Sequence, residues 1–247
     1  HQVLLAVSSS VGGLSLQELA QRTRLPRSTA YRIAAALCAV GYLEAEEGRG
    51  AYTLGPSLQQ IIRRSLVADN RLRAFQPAIE FLVARLNETA FFARLMDDGE
   101  VDLVKAVTPH SNERSYIYPG TGSRPLDKCS SSKAILAYID PKQVETYLLA
   151  SKIPGASDPN VQLKPLLAQL HQVKRNGYAI CDGEIDEGVC SISVPVPVGT
   201  LFGLFSMGVV GPSARMKERP LTEIVEIAHE AAAIASRNLL EGANDFS

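Results

Sequence analysis

No excess of either charge marks this chain: 25 Lys and Arg against 26 Asp and Glu leave a net charge of -1. A global basic field is therefore excluded, and any nucleic-acid contact must come from a local patch. Cysteine is sparse. Its four copies, at 38, 129, 181 and 190, form no Cys-x-x-Cys pair, which argues against a disulfide-stapled secreted scaffold. No apolar run reaches the ~18 residues that a membrane span needs. The opening residues, HQVLLAVSSS, have no basic stretch ahead of the apolar one and make a poor signal peptide. The first residue is His1 rather than Met, which leaves open where the true N-terminus lies. The expectation is a soluble cytoplasmic protein, in which Asn87-Glu88-Thr89 is a chance glycosylation match. What is present is ordinary for a folded chain, with 46% hydrophobic and 21% charged residues. A length of 247 suits one small and one larger domain.

The first sixty residues read as the small domain. Val3, Leu4 and Val7 fit one buried helical stripe, broken by Gly12-Gly13. Ser15 and Glu18 form a capping box ahead of Leu16, Leu19 and Ala20. A short turn leads to Pro26, expected at the first position of a third helix with Ile33, Ala34, Leu37 and Val40 inward. Gly41 ends it. Residues 42–44 and 51–54 read as two strands joined by a flexible tip over 46–50. Helix, helix, tight turn, helix and hairpin is the order of a winged helix-turn-helix.

This stretch holds five Arg and four Glu, a net of only +1, but four of the Arg lie between 22 and 32, where there is no acid. The third helix opens with Arg27, Ser28, Thr29, Ala30, Tyr31 and Arg32. Two guanidiniums, two hydroxyls and a phenol at a helix N-terminus suit phosphates and base edges. Arg49 at the hairpin tip is a candidate minor-groove or phosphate contact. The plainer alternative is a solvated helix face.

Leu58, Ile61, Ile62 and Leu66 repeat at helical spacing, so 57–76 reads as a linker helix that dimerises through its apolar stripe. Residues 77–247 alternate helices and strands. Strands are expected over 90–95, 101–107, 177–180, 191–196 and 201–210, and helices over 130–139, 144–150, 163–174 and 220–240. The segment 119–125 reads as a turn-rich loop. The fold class is α+β, with an antiparallel sheet covered by helices.

The order and spacing of several motifs resemble the IclR family of transcriptional regulators. They are Gly13 through Ala20, Leu25 through Arg32, Gly41-Tyr42-Leu43, Tyr52 through Gly55, Pro125-Leu126 with Lys133-Ala134, Gly177-Tyr178-Ala179, Glu184, Gly188-Val189 and Gly211-Pro212. The resemblance implies a winged helix-turn-helix over 1–56 and a GAF-like effector-binding domain over 77–247. It also implies a dimer or dimer of dimers on double-stranded operator DNA, and a small-molecule effector. Carried over position by position, it places Leu126, Cys129, Ser131, Ser132, Cys181, Ser191, Ser193, Gly208 and Val210 around that effector. Ser131, Ser132 and Asp127 depart from the family's pattern, as does the loss of polar groups at 181, 208 and 210. These departures suggest a larger or more apolar ligand, an organic acid or aromatic metabolite. Arg94, Arg124 and Lys133 are candidates to neutralise a carboxylate, although long cations mostly lie at the surface. Among Phe91, Phe92, Tyr116 and Tyr118, one or two are candidates to stack on a ligand.

Rival chemistries find less support. Ser130-x-x-Lys133 matches the nucleophile motif of serine β-lactam enzymes, but Ser-Asp-Asn and Lys-Thr-Gly are absent. Gly-x-Ser-x-Gly is absent too, and Pro119-Gly120-Thr121-Gly122 lacks the Gly-Lys of a phosphate loop. Asp127, Cys129, Cys181, Cys190, His110 and His171 show no ligand spacing within one element, which leaves a metal- or thiol-based sensor as the alternative. The expectation is a non-enzyme without a cofactor.

Overall fold

The computed structural model describes residues 1–10, 12–45, 50–58, 61, 73–110, 114–151, 159–199 and 201–244. The chain divides into two compact units: a head, His1–Ala68 with Gly199–Leu201, and a body, Asp69–Val198 with Phe202–Ser247.

In the head, Gln2–Ser8 (α1), Leu16–Thr23 (α2) and Arg27–Ala39 (α3) share a core of Val3, Val7, Leu14, Leu19, Ala34 and Leu43. The capping box forms. Ser15 Oγ accepts the Glu18 amide at 3.3 Å, and the Glu18 carboxylate accepts the Ser15 amide at 2.8 Å. Pro26 sits one residue earlier than expected, as the N-cap of α3, with the fixed φ that starts the helix. Gly41 follows α3 in the left-handed backbone its position suggests, at φ 72°. Leu43–Ala45 (β2) and Ala51–Leu54 (β3) form the hairpin. Leu14–Ser15 (β1) adds a third strand on the far side of β3, too short for its alternation to be read beforehand. The hairpin tip over 46–49, and with it Arg49, lies outside the described residues, as do Ile62 and Leu66 of the linker stripe.

In the body, a single 3-10 turn, Arg73–Phe75, leads into Gln76–Leu86 (α4). The strands are Thr89–Leu95 (β4), Val101–Val107 (β5), Gly122–Arg124 (β6), Ala179–Asp182 (β7), Val189–Val198 (β8) and Leu201–Pro212 (β9). The helices are Ser130–Leu136 (α5), Pro141–Ala150 (α6), Pro159–Asn176 (α7), Ser213–Met216 (α8) and Leu221–Asn244 (α9). The sheet runs β6-β5-β4-β9-β8-β7, so the early β4 lies centrally against the late β9, with Phe91 opposite Gly208 and Thr89 opposite Val210.

Alternation sends successive residues to opposite faces. On one face Phe92 stacks on Phe75 with centroids 4.3 Å apart, Phe205 joins them, and α4 and α9 cover the layer. On the other face α5, α6 and α7 bury Ala93, Leu95, Val101, Leu126, Ile135, Leu136 and Leu170.

Several boundaries shift by a few residues, and three differences have a structural reason or consequence. The turn-rich loop contains β6. The helix expected to run to Ile139 stops at Leu136, and Tyr138 and Ile139 turn back to Ile135 and Leu136. β8 runs on through Pro195 and Pro197 to Val198, beyond Ser193, where its pairing with β7 ends.

Candidate DNA-reading helix and effector cup

The short Thr23–Leu25 turn and the Pro26 cap present the first turns of α3 to solvent. Arg27, Ser28, Tyr31 and Arg32 are exposed and Thr29 is half-buried, while Ala30 and Ala34 face the core. Tyr31 is 55% exposed, an unusual display for an aromatic ring. Among the described residues, no hydrogen bond or ion pair holds the side chains of Arg27, Tyr31 or Arg32. No acid lies in the first turn, and the next outward positions are Ala35, Ala36 and Ala39, small enough for close approach. The five described residues of the sequence reading thus form one exposed polar face. Its first-turn amides are free for an anion.

The body gathers polar groups in the opposite way. α5 is buried from Ser130 through Leu136 and lies on β8, β7 and β4. Ser130 Oγ is 2.7 Å from Ser191 Oγ and 2.9 Å from Ser193 Oγ, while Ser206 Oγ donates to the Ser131 carbonyl at 3.0 Å. Cys129 Sγ and Ser131 Oγ are 3.1 Å apart. Cys181 pairs directly across from Ser191. Next to these hydroxyls, Val210 packs with Phe91 and Leu103, edged by Ala106, Ile117 and Val189.

Several of the carried-over residues therefore lie together, a hydrogen-bonded group of hydroxyls and a thiol beside an apolar cluster, and this packed neighbourhood is the cup. Leu126 does not join it; it belongs to the cluster behind α5. Gly208 has a packing reason of its own, since a Cβ there would collide with the Ile192 carbonyl oxygen of β8. Ser132 Oγ is buried with no hydrogen-bond partner among the described residues. Of the aromatics, only Phe91 reaches the cup. Phe92 is on the opposite face, Tyr118 is 60% exposed, and Tyr116 donates to Asn87 beneath Arg215. Ser206 and Leu103 are not among the sequence-predicted effector residues, and Ser130 entered there only as the start of a Ser-x-x-Lys match. Ser206 shares the two-residue period of Gly208 and Val210, a signal present in the sequence, whereas Ser130 is placed only by tertiary packing.

The candidate cations separate cleanly. Arg94 pairs with Asp102 at 3.2 Å, and Arg124 donates to the Pro119 and Gly120 carbonyls at 2.8 Å. Lys133, expected at the surface, is instead 3% exposed and bonds both oxygens of Glu184, at 2.8 and 2.9 Å. Burial pushes the Cys181 thiol up to about 11, helped by neighbouring Cys129 and Glu184, and burial likewise pushes Cys190 up to about 11. Both are held protonated at neutral pH, a form poor in nucleophilic and redox attack. Among the described residues, no three His, Cys, Asp or Glu side chains sit together as a metal set.

A winged helix with an open polar face, joined to a helix-covered antiparallel sheet with a buried polar cluster, is the architecture of ligand-responsive DNA-binding regulators. Comparison with known proteins makes the class specific. Residues 2–47 match the IclR helix-turn-helix domain, and residues 64–237 match the bacterial transcriptional regulator IclR C-terminal domain. The chain belongs to the IclR family of transcriptional regulators. It is 30% identical to the regulator TtgV of Pseudomonas putida over 217 residues, covering 88% of this chain and 81% of that one. It is 29% identical to BhcR of Paracoccus denitrificans, covering 93% and 81%. An IclR homologue from Microbacterium hydrocarbonoxydans, solved in complex with 4-hydroxybenzoate, superposes with a TM-score of 0.56 at 25% identity, covering 97% of this chain and 98% of that one. The protein is therefore a transcriptional regulator with a helix-turn-helix DNA-binding domain and an effector-binding domain. No helix among the described residues is long and apolar enough to cross a membrane.

Proposed function

We propose that this protein is a cytoplasmic, non-enzymatic repressor or activator that binds an operator as a homodimer or homotetramer and changes its DNA affinity when an organic acid or aromatic metabolite occupies the body. The division is 1–56 for the winged helix, 57–76 for a linker that joins two copies, and 77–247 for effector binding. Arg27, Ser28, Thr29, Tyr31 and Arg32 read and clamp a half-site, with Arg49 at the wing tip. Cys129, Ser131, Ser132, Cys181, Ser191, Ser193, Gly208 and Val210 surround the effector, with Leu126 supporting them from behind. The observation that carries the reading is the exposed, acid-free first turn of α3 in a chain whose other polar cluster is buried. The wall of Phe91, Leu103 and Val210 suits a ligand with an apolar body, and the relative crystallised with 4-hydroxybenzoate supports an aromatic acid. The effector acts only through its different affinity for the two DNA-binding arrangements.

The test is a gel-shift titration of the purified protein on its own upstream DNA at two salt concentrations, repeated with 4-hydroxybenzoate. Saturable, sequence-selective binding that weakens with salt is expected. Failure to select any sequence from a randomised library, with and without the acid, rejects the DNA-reading assignment.

A further inference from the structure

We infer that Lys133 is the anion-accepting group of the effector cup, and that the carboxylate of an entering effector takes the place of Glu184 on its ammonium and so frees the 183–188 loop. The inference rests on the effector reading above and adds to it a ligand chemistry and a moving part.

Four observations carry it. First, Lys133 and Ser130 are three residues apart and share one face of α5, and Ser130 is the residue bonded to Ser191 and Ser193. The Lys133 ammonium therefore lies on the same side as the serine cluster, and both its charge and that of Glu184 are felt at the Cys181 thiol, across from Ser191. Second, the pair is lopsided. The Lys133 side chain is 4% exposed, while that of Glu184 is 38% exposed and lies within a stretch, residues 182–188, that is exposed throughout. The anchor is in the protein and the carboxylate sits on a surface loop. Third, the loop has the means to move. Gly183 and Gly188 both take φ 76° with open space where a Cβ would be. Its ends are tied down separately, by Asp182 to Lys217 at 2.7 Å and by the Ser213 amide to the Gly188 carbonyl at 2.8 Å. Between those ties, Lys133 holds the Glu184 carboxylate, while the Glu184 amide bonds the Cys181 thiol and the Gly183 amide bonds the Val189 carbonyl at 2.9 Å, so the exchange at Lys133 frees the Glu184 side chain first. Fourth, the other two candidate cations are already committed to Asp102 and to backbone carbonyls.

The chemistry then restricts the ligand. A buried ammonium stripped of its partner is strongly disfavoured, so the loop does not release Glu184 into empty space. An effector carboxylate exchanges one anion for another on Lys133 and lets Glu184 return to water, where a carboxylate is well solvated. A neutral ligand of the same shape offers no such exchange. The closed pair also competes with the effector, and so lowers its apparent affinity by the fraction of molecules in which it is shut.

The experiment uses the full chain. Binding of 4-hydroxybenzoate, benzoate, phenylacetate and pyruvate, and of the isosteric 4-hydroxybenzamide, is measured by calorimetry, with amide hydrogen exchange at 183–188 read in parallel. In the native protein, an acid is expected to bind and to raise exchange in the loop about tenfold, while the amide does neither. Glu184→Gln, a change at an exposed position, is expected to exchange fast without ligand and to bind the acid at least tenfold more tightly. Lys133→Met is expected to lose the acid. The proposal is overturned if a bound acid leaves loop exchange unchanged, if Glu184→Gln binds it no tighter, or if no acid of the panel binds either protein. Selective operator binding that persists in the last case leaves the regulator reading intact and removes only the Lys133 exchange.

Discussion

The head and the body handle their polar groups in opposite ways. On α3, Arg27, Ser28, Tyr31 and Arg32 stand in water with no side-chain partner among the described residues. In the body, Ser130, Ser191, Ser193 and Ser206 are at most 9% exposed; the first three bond one another, and Ser206 donates to the Ser131 carbonyl. A surface that meets a polyanion keeps its donors hydrated until the DNA arrives, so displaying them costs the fold little. A cup that meets a small molecule must desolvate its donors beforehand, and a buried hydroxyl without a partner is expensive. Function and stability are therefore separable in the head and coupled in the body.

Several substitutions sharpen that contrast. The largest effect is expected at Glu88, 5% exposed, which takes a bidentate ion pair from Arg215, with one bond at 2.8 Å. Arg215 also reaches the Ser115 carbonyl and lies over the Tyr116 ring, and so fixes the segment that brings Ile117 to the cup. Glu88→Ala should cost the body about 3 kcal/mol, the low end for a broken buried pair because the Arg215 side chain is 21% exposed. Urea unfolding measures it. Next, Arg32→Ala should weaken operator binding by about 1–3 kcal/mol while leaving unfolding within about 0.5 kcal/mol of the native value. Anisotropy titration and urea unfolding on the same sample decide it, and a matching loss of stability would erase the contrast. Then Ser130→Ala should cost about 1–2 kcal/mol, because it takes a partner from both Ser191 and Ser193. Its DNA affinity without effector should be unchanged.

How much of this was legible beforehand follows the same division. The head is built from local signals, namely a capping box, a proline before a helix and a glycine after one. Its exposed face could be read from helical period alone. In the body the order of elements was legible, but the site depends on register and on contacts over long sequence separations. Ser130 and Ser191 are 61 residues apart, and Lys133 and Glu184 are 51. No local pattern distinguishes a buried lysine from an exposed one, so Lys133 read as a surface cation until packing showed Glu184 waiting at its end. The family resemblance supplied positions such as Ser131 and Ser191, but not Ser206, which is joined to them only by the hydrogen bond to the Ser131 carbonyl. Resemblance offers candidate positions; the hydrogen bonds that join Ser130, Ser191, Ser193 and Ser206 to their partners are visible only in the fold.

The smallest effect returns to the head and tests whether its stability really is local. Ser15 Oγ accepts the Glu18 amide at 3.3 Å and donates to the Glu18 carboxylate at 2.7 Å, and the Ser15 amide donates to the same carboxylate at 2.8 Å. Ser15→Ala removes the hydroxyl and should cost α2 about 1 kcal/mol. In a unit of this size that corresponds to a midpoint lower by about 4–8 °C. Amide exchange within α2 should rise accordingly, while exchange in α5 and β8 stays as it was. The effect has a pH signature. The Ser15 hydroxyl, then the Ser15 amide, holds the Glu18 carboxyl below its ordinary 4.5. A carboxyl depressed in the folded state contributes stability above its unfolded value, and that stability is lost as pH falls through the folded one. The native head and the Ser15→Ala head should therefore differ most above pH 4.5 and draw together below it. A gap that stayed constant with pH would assign the cap to the hydroxyl–amide bond alone.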